Sequence, residues 1–260
     1  MNTGLKTGYN GPVLGAIFDS VFYLPLYNGL VFLIDYVPSH DVGIALIILT
    51  IIVKLLLFPL SKKASLSQYR LRSLEGEVAA IREKYASDKA LQAKKTMELY
   101  KSRNVNPFTG ILTLIVQIPI LIALYLIFLK AGLPAINADY LYSLVEFPTT
   151  VNTTFLGLID LTSKSMVLAF LAGFSQFIQA RVALPPLPHR EPSSGNERSF
   201  KDDLAKSMNL QFRYIMPVVV AVISYTLPSA IALYWSVGNI FAIGQELVIK
   251  RAVKKHNIKI

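Results

Sequence analysis

VGIALIILTIIVKLLLFPL, residues Val42 to Leu60, decides the fold class. It is nineteen residues long and carries one charge, Lys54. At ~1.5 Å of rise per residue it covers roughly 28 Å, enough to cross the hydrocarbon of a bilayer. Pro59 falls near its end, where it loosens only the last turn. The chain then changes character. Ser61 to Asn106 holds eleven basic residues (Lys62, Lys63, Arg70, Arg72, Arg82, Lys84, Lys89, Lys94, Lys95, Lys101 and Arg103) and five acidic ones. Leu66, Tyr69, Leu74, Val78, Ile81 and Tyr85 recur there at helical spacing. Leu91, Met97, Leu99 and Tyr100 follow after a break at Ser87-Asp88. Two amphipathic arms around a break predict a helical hairpin on the membrane surface.

Outward from this pair the same alternation repeats. Further spans are predicted at 107–129, which contains Gln117 and Pro119, at 166–184, at 210–227 and at 230–249 after Pro228-Ser229. Upstream, residues 17–37 read IFDSVFYLPLYNGLVFLIDYV, interrupted by Asp19, Asn28, Gly29 and Asp35. That pattern predicts an interfacial amphipathic helix, with a sixth span as the alternative. The expected architecture is all-α: a polytopic membrane protein with a five-helix transmembrane core, an N-terminal interfacial helix and a cytoplasmic hairpin. Its segments are an extracytoplasmic N-terminus (1–41), span one (42–60), the hairpin (61–106), span two (107–129), an extracytoplasmic segment (130–165), span three (166–184), a flexible cytoplasmic loop (185–209), spans four and five (210–227 and 230–249) and a basic tail (250–260).

Composition agrees. Of 260 residues 53% are hydrophobic and only 16% charged, against about 25% charged in soluble domains. The net charge of +10 is read from where it sits. The hairpin, the 185–209 loop and the tail are rich in Lys and Arg, whereas 131–163 has none and carries Asp139, Glu146 and Asp160. By the positive-inside rule the N-terminus lies outside and the C-terminus in the cytoplasm. Topology thus accounts for the basic balance without sequence-specific nucleic acid. The absence of cysteine excludes disulfides, thiolate metal sites and cysteine nucleophiles. His40, His189 and His256 stand apart in or beside polar segments, so no histidine metal cluster is expected. No nucleotide motif occurs. The sequence therefore predicts neither a cofactor, a metal nor a catalytic residue.

Lys54 is the sharpest feature. It lies ~9 Å from the cytoplasmic end of its span, where an unpartnered lysine costs a few kcal/mol. Either it snorkels to the headgroups or it faces a wet cavity between helices. Thr50, one turn earlier on the same face, favours the second. Gln117, Ser175, Gln176, Gln179, Ser224, Tyr225, Ser236, Asn239 and Gln245 also fall within spans. Each alone reads as interhelical glue. Together with Lys54 they predict a polar groove suited to transient contact with peptide.

These residues bring out a family resemblance over roughly 20–250. ILTIIVKLLLFPLSKKAS followed by a charged hairpin, NPFTGILTLIVQIPILIALY (106–125), FLGLIDL (155–161) and LPSAIALYWSVGNIFAIGQE (227–246) occur in an order and spacing similar to the YidC-type membrane protein insertases, a family with mitochondrial and chloroplast relatives. The resemblance implies a hydrophilic, positively charged groove open to cytoplasm and lipid, through which short hydrophilic tails of nascent membrane proteins cross the bilayer. It implies a chaperone rather than an enzyme, in the bacterial cytoplasmic (inner) membrane. The implied partners are nascent membrane proteins and lipid, with the Sec translocon and the ribosome as further ones. The family's groove arginine corresponds to Lys54, which keeps the charge but loses the planar fork of donors. Thr50, Gln117, Gln179 and Trp235 correspond to groove lining, and Ile118 and Leu121 to positions along which a substrate helix slides. The chain resembles the compact form, without the large extracytoplasmic domain of some bacterial relatives.

Two other classes compete. A small transporter or channel with Lys54 in its pathway calls for ionisable relays or inverted repeats, and the spans show neither. An intramembrane Ser–Lys hydrolase calls for a serine such as Ser175 or Ser224 beside Lys54.

Overall fold

A computed structural model describes residues 14–106, 109–129, 133, 135–183 and 210–255. The N-terminal decapeptide, the whole of the expected 185–209 loop, His189 and His256 lie outside the described residues. The described chain is mostly helical, as expected; residues 141–165 hold no helix and contain one pair of two-residue strands. It divides into two compact units, Met1–Lys54 with Pro119–Gly244, and Leu55–Ile118 with Gln245–Ile260.

The first unit begins with α1 (Leu14–Phe18), a π turn (Asp19–Tyr23) and α2 (Leu24–Tyr36). Pro25 explains the π turn, because its ring displaces the carbonyl four residues back and widens the preceding turn. The same device recurs later in the unit. A π turn at Gln211–Ile215 precedes Pro217 in α9 (Met216–Thr226). Leu26, Tyr27, Leu30, Val31 and Ile34 of α2 are buried at helical spacing. Tyr27 Oη accepts from the Asn137 amide (2.7 Å), and Asn28 donates to the Tyr140 carbonyl (2.8 Å) and accepts from the Tyr142 amide (2.6 Å). The middle of α2 is thereby tied to the loop that follows α7 (Thr109–Leu129).

Helix α3 (Val42–Leu56) buries Val42, Ala45, Leu46, Leu49 and Thr50 along one stripe and exposes Ile51 and Ile52 on the other. Its N-terminus is fixed by Asp41, which is 3% exposed. One carboxylate oxygen accepts from the amides of Gly43 (2.7 Å) and Ile44 (3.2 Å), and the other from the amide of Leu156 (2.8 Å). Leu156 lies in the turn between β1 (Thr154–Phe155) and β2 (Ile159–Asp160). Gly43 leaves room for that hairpin, since a Cβ there would fall 2.2 Å from the Phe155 ring. The hairpin also serves α10 (Ser229–Lys255), whose first amides, Ser229 and Ala230, donate to the carbonyls of Ser163 (2.8 Å) and Leu161 (3.1 Å). One short hairpin thus satisfies donors that two helix N-termini leave open.

Helix α8 (Met166–Ala183) crosses α9 at Gly173, where a Cβ would come within 2.7 Å of Ala221 Cβ and 2.9 Å of the Pro217 carbonyl oxygen. Large apolar side chains face outward along these helices, including Phe170, Phe174, Val218 and Val222. Their breadth fits lipid rather than water.

In the second unit α4 (Phe58–Ser73), α5 (Glu75–Lys84) and α6 (Lys89–Ser102) form the expected helical segment. The predicted break is confirmed chemically, because Asp88 caps α6 by accepting from the Leu91 amide (2.9 Å). Burial is sparse and includes Ala64, Leu74, Val78 and Val105. Polar links carry much of the rest. Ser61 donates to Gln245, Tyr69 to Glu246, Ser67 to the Asn106 carbonyl, and Arg103 makes a bidentate pair with Glu77.

Several boundaries differ from expectation. Helix α3 stops at Leu56 rather than running to Leu60, because Pro59 fits the first turn of a new helix, where no intrahelical N–H is required. Helix α10 continues past residue 249 to Lys255, so Lys250, Arg251 and Lys254 are helical. Among the described residues three helical stretches are long and apolar enough to cross a membrane: Gly15–Tyr36, Met166–Ala183 and Ser229–Lys254. There are four if α3 and α4 count as one. The expected five is not reached on these criteria. Helix α7 itself runs over Thr109–Leu129, of which Ile115–Leu129 is apolar among the described side chains, and a π turn opens the fourth expected span. Gly15–Tyr36 meets the requirement for the sixth span that the sequence left open.

Candidate functional site

Lys54 and Thr50 stand one turn apart on α3. Lys54 is half-buried, and its aliphatic stem lies against α10 at Gly238. A Cβ on Gly238 would come within 3.1 Å of Lys54 Cε and 3.6 Å of Nζ. Glycine within a helix costs about 1 kcal/mol relative to alanine. Here its bare backbone makes room for the long cationic side chain.

Around this contact polar and apolar groups are sorted. Thr50 is 1% exposed and donates its proton to the Leu46 carbonyl of its own helix (2.6 Å). Thr50, Val53, Leu46, Ile120, Leu124 and Tyr234 line an apolar crevice with no room for a water molecule. Thr50 therefore sits on the packed side of α3. Trp235 follows Tyr234 on α10 and is half-buried, whereas Tyr234 is 3% exposed. One residue beyond Gly238, Asn239 donates to Ser175 Oγ on α8 (3.1 Å), and Ser175 donates to the Ala172 carbonyl (3.0 Å). That pair is interhelical glue in the ordinary sense. It also occupies the Ser175 hydroxyl that a Ser–Lys hydrolase would need. Ser236 bonds back to the Ala232 carbonyl (2.8 Å). Ser224 Oγ is buried without a hydrogen-bond partner among the described residues.

Sequence-predicted residues therefore fall into three groups. Helix α3 brings Lys54, with Thr50 on its helix, to the stretch of α10 that contains Trp235. Gln179 is half-buried on α8, with Gln176 donating to it at 3.4 Å, and Leu121 is half-buried on α7. Gln117 and Ile118 belong to the second unit, the former half-buried and the latter 55% exposed. Gln245, also in the second unit, accepts from Ser61 (2.9 Å). Glu246 is the acidic residue nearest a span interior in the sequence, and its carboxylate accepts from Tyr69.

Sequence reasoning missed Gly238 and Asp41. An aspartate directly before an apolar run is a recognisable helix-start signal, so Asp41 was within reach. Nothing local marks Gly238, because its role depends on a lysine far away in the chain.

Comparison with known proteins gives these elements a family. The family model described as 60Kd inner membrane protein matches residues 33–256. The chain belongs to the YidC family. A YidC membrane protein insertase of Clostridium tetani is 33% identical over 220 residues, covering 85% of this chain and 86% of the relative. Another YidC insertase, from Fusobacterium nucleatum, is 30% identical over 89% of this chain and 98% of its own length. A third YidC insertase, from Syntrophus aciditrophicus, is 34% identical over 88% of this chain but only 36% of the relative. The chain thus spans most of some YidC proteins and little more than a third of others. The matched range takes in α3, the hairpin and the Lys54–Gly238 contact.

Proposed function

We propose that this chain is a membrane protein insertase in which Lys54 helps short hydrophilic tails cross the bilayer. The observation that carries this reading is the seat of Lys54. A cationic side chain is half-buried against bare backbone of α10, inside helices otherwise built for lipid. A charge held there lowers the cost of drawing an acidic tail part way into the membrane. The amides of Gln117 and Gln179 and the indole of Trp235 offer further contacts to passing peptide. The exposed Ile118 and the half-buried Leu121 suit the flank of a sliding apolar helix. Partition of that helix into lipid supplies the driving force, at ~0.8 kcal/mol per buried CH₂. The basic helices α4 to α6 meet the nascent chain in the cytoplasm, where the ribosome and the Sec translocon are the further partners.

The orientation in this reading is N-terminus outside and C-terminus in the cytoplasm, with α1 and α2 on the outer surface. The bonds of Tyr27 and Asn28 to residues 137–142 support that placement. A helix crossing the bilayer would hold its middle in hydrocarbon, away from an external loop.

The test is insertion of a single-span substrate with an acidic N-terminal tail into liposomes containing only this protein. Protease protection of the tail is compared for wild type, Lys54→Arg and Lys54→Ala. Protection by the first two and loss in the third is the expected result. Equal protection in all three removes Lys54 from the mechanism. No protection above empty liposomes removes the insertase reading for the isolated chain.

A further inference from the structure

The turn of the β-hairpin has the wrong residues for a turn in water. Leu156 has φ +52° and Gly157 φ +71°. The glycine suits that left-handed backbone. At the position before it asparagine, aspartate or glycine is the ordinary choice, because a side chain branched beyond Cβ gains nothing there and crowds its own carbonyl. Leucine occupies it nonetheless, and its side chain is not buried in return: Leu156 is 61% exposed and Leu158 82%. A strained position thus carries an apolar side chain that finds little cover among the described residues.

The hairpin is held where such side chains would meet a bilayer. Its turn is bonded through the Leu156 amide to Asp41 at the start of α3, and the strand ends bond the first amides of α10. Both helices begin at this level and run into the membrane. Six residues after β2, α8 opens with Met166 and Val167, both exposed and apolar, and Phe170 and Phe174 continue that surface. The apolar turn is therefore continuous with a lipid-facing helix. Lys and Arg are absent from residues 131–163 and Lys164 is the one basic residue between β2 and α8, so electrostatic attraction to anionic headgroups would be the lesser force here. Apolar insertion would be the greater.

We propose that Leu156 and Leu158 form a lipid anchor, inserted at the headgroup–acyl boundary of the leaflet next to the start of α3 and α10. The occupant of this exposed surface is lipid, not a protein partner. Its effect is to hold the hairpin, and through Asp41 and Ser229 the ends of two helices, at a fixed depth. This inference needs the chain to be embedded in a membrane but does not depend on its being an insertase.

The absence of native cysteine makes the test direct. Nitroxide labels are placed singly at Leu158→Cys, at Asp139→Cys as a water-exposed reference and at Phe170→Cys as a lipid-exposed reference, in full-length protein in phosphatidylethanolamine–phosphatidylglycerol liposomes. Collision with oxygen is compared with collision with a water-soluble nickel chelate. The expected result is that the Leu158 label favours oxygen, as the Phe170 label does, whereas the Asp139 label favours nickel. A Leu158 label that favours nickel places the turn in water and overturns the proposal. A label shielded from both reagents places it against protein, such as a second copy, and also overturns it. In a second measurement, Leu156→Asn, which relieves the backbone strain, shifts the Leu158 label several-fold toward nickel with the protein still folded by circular dichroism. An unchanged label there removes Leu156 from the anchor.

Discussion

Each unit is stabilised internally by its own chemistry. In the first, buried aliphatic stripes on α2, α3, α7 and α10 pack around Leu30, Ile34, Leu46, Leu124, Ile127 and Ile231, each less than 2% exposed. Some of its polar groups serve helix ends, where Asp41 and the β-hairpin satisfy open amides, and others, Asn28 and Asn239 among them, make specific ties from mid-helix. In the second, few side chains are buried, and Ser61, Tyr69, Gln92 and Arg103 reach across to carboxylates, amides and carbonyls. A unit built on packing loses stability in large steps when its core or caps are cut. One built on surface polar links opens locally at low cost. Under the proposed function, a hairpin that is to meet varied nascent chains gains from the second design, and a scaffold that is to hold a lysine inside a membrane needs the first.

The largest effect should come from Asp41. Removing its carboxylate leaves three amide donors, of which the Gly43 amide is buried and those of Ile44 and Leu156 partly buried, without their acceptor, and hydrogen bonds to charged groups are worth ~1.5–3 kcal/mol each. We expect Asp41→Ala to destabilise by about 3–5 kcal/mol in total, since the bonds are not additive. Thermal unfolding in detergent would measure it, with new proteolysis between residues 152 and 161. A loss under about 1 kcal/mol would mean that water replaces the carboxylate and that the clamp is not the keystone of the first unit.

Gly238 separates stability from function within the same unit. Gly238→Ala needs Lys54 Cε to move only a few tenths of an ångström, and should be tolerated. Gly238→Leu must push the lysine out of its seat. Insertion of an acidic-tailed substrate should fall toward the level of Lys54→Ala, and a neutral-tailed substrate should be affected less. If Gly238→Leu retains full activity with acidic tails, the resting position of Lys54 is not the working one.

Much of this was legible in the sequence, for identifiable reasons. Apolar length and charge segregation act locally, so the apolar helix with Lys54, the charged helical segment after it and the Ser87-Asp88 break could be read from Val42 to Asn106 alone, whereas the count of spans could not. Lys54 announced itself by being the sole charge in its run. What could not be read depends on which helices touch. Thr50, on the same face as Lys54 by helical spacing, turns out to be packed in an apolar crevice with its hydroxyl bonded to Leu46. Gln245 and Glu246 look like intramembrane polar groups but serve Ser61 and Tyr69. The β-hairpin was hidden because its order comes from Asp41, Ser229 and Ala230, not from strand propensity over two residues.

In the second unit Tyr69→Phe should have a smaller effect than Asp41→Ala. It removes the phenolic donor to Glu246, a carboxylate only 8% exposed, and leaves the ring in place. An unsatisfied buried group costs about 1–3 kcal/mol. Amide exchange in α4 should speed up accordingly, while exchange in α2 and α8 stays unchanged. Equal acceleration in all three would show that the two units unfold together and would erase the contrast between them.

The smallest effect marks the limit of that polar design. Lys95 and Glu98 pair on α6 at 2.8 Å in the i,i+3 relation. Their hydrogen bond holds the Glu98 carboxyl below its ordinary value and the Lys95 ammonium above its own. A lowered carboxyl contributes stability that is present above the unfolded value of 4.5 and is lost as pH falls through the folded value. The raised lysine contributes below 10.5 and loses its part as pH climbs past that. Between these limits the pair is intact. Both groups stand in water, however, where salt screens them and two long side chains must be ordered to meet. Glu98→Gln should therefore leave the unfolding midpoint unchanged between pH 5 and 9 at about 0.15 M salt, and α6 should exchange its amides at the wild-type rate. A measurable loss would mean that Glu98 supports the hairpin through the basic stretch Lys94–Lys101 as a whole. The second unit's stability would then fall with ionic strength, and that salt dependence, absent from the packed unit, would be the property to follow.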